Sequence, residues 1–190
     1  MKYLVCLFIF IIPFYAFGDD CTISKENPFM GKYKDQMAFG IGQGFDTGLL
    51  IPPPYKPVPF YILNFQYSQP TTFFRIPAKY SVNISQTAGF GNKNGWNWSH
   101  FTIPIAYLSE DIALLNYDKM YFATGAGAGL QAHQNERLGS KLLFTLKLTL
   151  GYRFNEIWNG ELFIQHFSNA NTAEENNSYA FYGFGLTYNF

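Results

Sequence analysis

Residues 141–154, KLLFTLKLTLGYRF, set Leu142, Phe144, Leu146, Leu148, Leu150, Tyr152 and Phe154 against Lys141, Thr145, Lys147, Thr149, Gly151 and Arg153. Successive side chains of an extended strand point to opposite faces, so this strict period of two predicts a strand with one wholly apolar side. Apart from Leu143, the other side is polar, cationic or without a side chain.

Seven further segments carry the same alternation, at 37–45, 59–68, 73–85, 99–108, 120–130, 161–168 and 180–190. The opposite face is small in the first, fifth and eighth. There it holds Gly40, Gly42 and Gly44, then Gly125, Gly127 and Gly129, then Gly183 and Gly185. Apolar residues outward with glycine or polar residues inward is the pattern of a membrane barrel. A soluble barrel or sandwich shows the same alternation with its apolar faces turned in. The glycine-rich faces favour a narrow closed lumen. The aromatic ending Gly185-Leu186-Thr187-Tyr188-Asn189-Phe190 resembles the assembly signal of outer-membrane proteins, which makes the barrel assembly machinery an expected partner.

The connectors fit an eight-stranded antiparallel transmembrane β-barrel with both termini in the periplasm. Links 46–58, 87–98, 131–140 and 169–179 are long and rich in Gly, Asn or Pro, whereas 69–72 and 155–159 are short. Long outer loops and short inner turns are the bacterial outer-membrane arrangement. The link 109–119 departs from it and is expected to hold a short helix around Asp111–Leu115.

The chain begins Met1-Lys2, continues apolar from Tyr3 to Phe17 and reaches Gly18-Asp19-Asp20. These features predict a signal peptide over residues 1–18, cleaved after Gly18, with the barrel in residues 19–190. The run is short beside the roughly 20 apolar residues of a spanning helix. Cys6 leaves with the signal, and Cys21 is left without an internal partner. Aromatic residues make up 20% of the chain and charged residues 14%, as suits a lipid-facing wall with interfacial girdles that include Trp96 and Trp98. Equal numbers of acids and bases exclude the basic footprint of a nucleic-acid binder.

Chemistry concentrates in His166-Phe167-Ser168-Asn169. Leu162, Ile164, His166 and Ser168 share the apolar, outward face, near the outer end of the penultimate strand. An imidazole two residues from a hydroxyl lies within reach of it and can take its proton. Asn169 offers an amide for an oxyanion. The same residues also suit a polar strand end at the membrane interface.

His166-Phe167-Ser168-Asn169-Ala170, followed by an Asn-rich loop and a short last strand, resembles the PagL family of lipid A 3-O-deacylases. The resemblance extends to residues 139–154. It implies an eight-stranded barrel in the Gram-negative outer membrane that hydrolyses the 3-hydroxyacyl ester at the 3 position of lipid A. By that resemblance Ser168 is the nucleophile and His166 the general base. Asn169 and the backbone N–H of Asn171 form the oxyanion site. The family's acid, twelve residues after the serine, falls on Ala180. Glu175, and after it Glu174, is the substitute in reach of the sequence argument. A slow Ser–His dyad and an inert barrel, serving adhesion or envelope integrity, stay open beside it.

Lipid A and membrane lipid are therefore the expected partners, with a homodimer left open, and no cofactor is implied. His100 and His133 lack metal-site spacing, so no metal is implied either. The glycines of Gly40-Ile41-Gly42-Gln43-Gly44 alternate within a strand and do not suit a phosphate cradle. Arg75, Lys79, Lys147, Arg153 and Glu161 share the inward register and are expected to form an internal ion network. Lys93, Arg137 and Lys141 at the outer rim are candidates for lipid A phosphates.

Overall fold

Alternation closes into a wall. The computed structural model describes residues 27–46, 56–93, 96–97, 102–135, 137–176 and 178–190. The proposed signal peptide, Cys6, Cys21, Trp98 and His100 lie outside them. Eight antiparallel strands form the barrel: β1 (Gln36–Asp46), β2 (Lys56–Phe73), β3 (Ile76–Gly89), β6 (Pro104–Tyr117), β7 (Met120–Gln131), β8 (Leu142–Arg153), β9 (Trp158–Ser168) and β10 (Tyr179–Asn189). A small ribbon of β4 (Asn92–Lys93) and β5 (Trp96–Asn97) stands apart. Pairing of β1 with both β2 and β10 leaves the barrel no open edge.

The exposed apolar face runs around the outside. Leu146, Leu148, Leu150, Leu162, Ile164, Phe184 and Leu186 are all exposed, while most inward residues of the same strands, such as Thr145, Thr149, Glu161, Phe163, Gln165 and Phe181, are buried. The lumen is solid. Its outer part packs Phe60, Ile62, Ile105, Tyr107, Leu138, Leu143, Phe167, Tyr179 and Phe181. Below them Lys79 bridges Glu161 (2.7 Å) and Asp111 (3.6 Å), and Lys147 bridges the same acids at 3.2 and 3.8 Å. Segment 27–35 closes the inner mouth. The Asn27 amide donates to the Thr71 and Ala78 carbonyls, and Phe29 packs edge-on against Tyr121 at 5.3 Å.

Several expectations at the inner end need correction. Residues 69–72 belong to β2, and the turn is Phe74-Arg75, both at positive φ. Residues 109–119 hold no helix: β6 continues to Tyr117 and turns at Asp118-Lys119. Two-residue turns demand left-handed backbone that glycine usually marks, and here no glycine marks it. A register shift between Ala113 and Leu115 breaks the alternation just where β6 would have betrayed itself. The network also differs from expectation. Asp111 joins it, whereas Arg75 is exposed in its turn and Arg153 donates instead to the Asp118 carbonyl.

Candidate active site

Residues pointing into the lumen set the register of β9. Gln165 donates to the Tyr107 hydroxyl (2.9 Å) and to Thr145 Oγ1 (3.0 Å), and the fully buried Phe167 meets the Tyr107 ring edge-on at 5.4 Å. With Phe163, Gln165 and Phe167 inside, parity turns His166 and Ser168 outward, where both are half-buried. Their Cα atoms, two residues apart on one strand, are about 7 Å from each other. Leu146 and Ala180 are the register partners of His166, and Phe144 is that of Ser168.

Ala180 therefore stands directly across from the imidazole, on the strand where the family acid is expected. It is buried and supplies no charge. Among the described residues no hydrogen bond or ion pair joins His166 to Ser168, Glu174 or Glu175. Catalytic hydrogen bonds that are long in the free enzyme commonly tighten with substrate. Both glutamates are exposed.

Asn169 turns inward and is completely buried. Its side-chain amide donates to the Glu175 carbonyl (2.7 Å), and its Oδ1 accepts from the Asn171 N–H (2.9 Å). Its carbonyl accepts from the Thr172 hydroxyl (2.8 Å) and N–H (3.0 Å). Asn176 ties the far side of the loop, accepting from the Asn169 N–H (3.1 Å) and donating to Asn171 Oδ1 (2.8 Å). Ala170 and Asn171, at φ 52° and 60°, make the bend. The neighbouring outer loop is stitched on by a Leu138–Asn176 bridge and by Gly139 N–H donating to the Glu175 carbonyl at 3.0 Å. The Asn171 N–H and one of the two N–H groups of Asn169 Nδ2 are thus donated within the loop. Asn176 and its ties were not singled out by sequence, because one asparagine in an Asn-rich loop looks like another.

Below His166 the wall holds an apolar cleft of about 700 Å³, lined by Ile41, Leu148, Ile164, Tyr182 and Phe184 and floored at Gly42 and Gly183. Ile164 is two residues from His166 on the same face. Gly42 and Gly183 give the floor backbone only, since a Cβ on either would point inward to the Phe163 ring. Lys141 is exposed on the outer rim, as is His133. No group of three or more candidate metal ligands occurs among the described residues. A hydroxyl and an imidazole thus sit on the outward face near the outer end of β9, above an apolar cleft.

The family model described as lipid A 3-O-deacylase (PagL) matches residues 64–189. The crystal structure of the outer-membrane enzyme PagL is similar over 82% of this chain and 99% of its own, with a TM-score of 0.56 at 13% identity. Neisserial surface protein A is similar over 82% of this chain and 96% of its own, with a TM-score of 0.52 at 8% identity. At such identities the likeness concerns the fold alone. No curated protein matches the sequence.

Proposed function

The chain belongs to the lipid A 3-O-deacylase family and is an integral outer-membrane barrel, and on that premise we propose that it hydrolyses the ester-linked acyl chain at the 3 position of lipid A. The observation that carries the reading is the outward placement of His166 and Ser168 at the outer end of β9, above an apolar cleft. A hydrophilic substrate would not need a lipid-facing nucleophile. Lipid A in the outer leaflet meets it by lateral diffusion, with its acyl chains already alongside the wall.

In this reading Ser168 Oγ attacks the acyl carbon while its proton passes to His166. Collapse of the tetrahedral intermediate breaks the bond to the sugar oxygen, which leaves with the proton from His166. Water, activated by the same imidazole, then releases the 3-hydroxy fatty acid from Ser168. The orienting acid is the incomplete part. Glu175 is the proposed substitute, and the expected cost of having none is up to about 10⁴ in kcat.

Ala180 favours a second reading, an inert barrel that keeps a degenerate site. Mass spectrometry of lipid A from cells expressing the wild type, Ser168→Ala or His166→Ala separates the two. Loss of one ester-linked chain with the wild type, and with neither variant, is the expected result. Unaltered lipid A beside correctly folded wild type would establish the inert barrel instead.

A further inference from the structure

The outward face of the barrel is mostly apolar, so an amide on it has to be accounted for. Gln43 shares the outward face of β1 with Phe39 and Ile41 and is the outermost residue that β1 gives to the apolar cleft. Its Oε1 accepts from the hydroxyl of Tyr182, its register partner on β10, at 3.0 Å. Neither N–H of its Nε2 has an acceptor among the described residues. A polar group kept from water costs free energy until it is hydrogen-bonded, and such a group on a membrane wall calls for a partner. The Phe45 ring packs against that of Tyr182 at 5.8 Å. Between Gln43 and Phe45 the β1–β2 register shifts, an irregularity of the kind that re-aims a side chain.

The amide stands at the depth of the reacting groups. Rows of paired residues climb the wall: the row from Gln36, at the inner end of β1, reaches Phe167 at the outer end of β9 six pairings later. Ile164, Tyr182 and Gln43 form another such row. At a strand tilt of about 40° it gains about 6 Å in height over its two strand spacings. His166 stands about 5 Å above Ile164, two residues further along the same tilted strand. Gln43 and His166 are therefore level, about 12 Å apart along the wall. From Gln43 and Tyr182 the cleft descends past Ile41 and Phe184.

We propose that Gln43, aimed by the Tyr182 hydroxyl, binds the carbonyl of a second acyl linkage of the lipid A molecule whose ester meets Ser168, the identity of the lipid resting on the deacylase reading. Lipid A carries several acyl chains, and their ester or amide carbonyls lie at one depth in the leaflet. A carbonyl level with His166 accepts from Gln43 Nε2, and its hydrocarbon chain runs down the cleft over the backbone floor at Gly42 and Gly183. Anchoring a non-reacting chain fixes which ester is presented to the nucleophile, so Gln43 sets specificity by orientation.

The test compares the wild type with Gln43→Leu on two substrates in mixed micelles: lipid A, and a glucosamine carrying only the ester-linked 3-hydroxyacyl chain. The preference for lipid A, as a ratio of kcat/KM values, should fall about 2–10-fold in Gln43→Leu, the usual weight of one neutral hydrogen bond, and through KM more than kcat. Gln43→Glu keeps the acceptor for Tyr182 but offers no donor, and should lose the preference likewise. A merely structural role would slow both substrates by one factor. Binding of fluorescent lipid A to Ser168→Ala, with and without Gln43→Leu, reads the same contact without turnover and should weaken by the same factor. Phosphatidylethanolamine has acyl carbonyls of its own, and displacement of lipid A by an equal concentration of it would overturn the assignment to lipid A. An unchanged preference in Gln43→Leu overturns the inference and leaves the deacylase reading intact. If neither the wild type nor Ala180→Glu releases an acyl chain, the deacylase reading falls; lipid A binding that still depends on Gln43 then upholds the inference, and binding indifferent to Gln43 overturns it too.

Discussion

At the scale of residues, the site turns on His166 and the position across from it. Paired residues on neighbouring antiparallel strands have Cβ atoms about 4.5–5.5 Å apart, so a carboxylate at 180 would lie on the same face as the imidazole. Ala180→Glu is therefore expected to raise the rate of lipid A deacylation, by as much as about 10⁴ where an orienting acid is the only deficiency. Glu175→Ala, assayed beside it by the same loss of acyl chain, should abolish turnover if the loop acid has taken the role. A Glu175→Ala variant as fast as the wild type would remove Glu175 from the site. The motif His166-Phe167-Ser168 was legible because parity alone decides its face. The commitments of Asn169 and Asn171 were not, since they depend on the path of a loop stitched to its neighbour.

At the scale of elements, glycine decides how closely strands and side chains approach. A Cβ on Gly151 would lie 1.9 Å from the Tyr121 ring, whose hydroxyl donates to Glu161 at 2.8 Å. A Cβ on Gly185 would meet nothing nearer than 3.7 Å. Gly151→Ala should then destabilise the barrel by about 1–3 kcal/mol, the usual cost of overpacking, while Gly185→Ala changes little. Urea midpoints in detergent, followed by tryptophan fluorescence, report both. The start of β1 offers a pH-dependent tie. The Asp35 carboxylate accepts from the Tyr67 hydroxyl and from Gln69 Nε2, both at 2.6 Å. Those bonds, Tyr67 first, hold its pKa below the ordinary 3.8. A depressed carboxylate pKa contributes stability that is complete above the ordinary value and lost as pH falls through the folded one. Tyr67→Phe should move the Asp35 titration up toward 3.8, as read by NMR; an unmoved titration would remove the tie.

At the scale of the whole molecule, the barrel is a soluble protein inverted, with its charges inside and its greasy residues outside. Glu161 touches both lysines of the lumen, and Asp111 reaches them only at 3.6 and 3.8 Å. Glu161→Gln should leave two buried ammonium groups sharing one distant acid, at a cost of about 3–5 kcal/mol. Replacing Lys147 by Met in the same chain should recover part of that loss, and equal urea midpoints for the single and double variants would deny the coupling. The sequence by itself determined the closed eight-stranded wall, the outward face of His166 and Ser168, and the lack of an acid at 180. Period-two parity is a local property that each residue shares with its immediate neighbours, so it survives without knowledge of the fold. Only the tertiary structure decided that Asp111 completes the ion network, that the inner turns fall at 74–75 and 118–119, and that Asn176 ties Asn169 to Asn171. Those outcomes depend on which strands and loops meet across the barrel, and hydrogen-bond partners chosen over such separations leave no periodic trace in the chain.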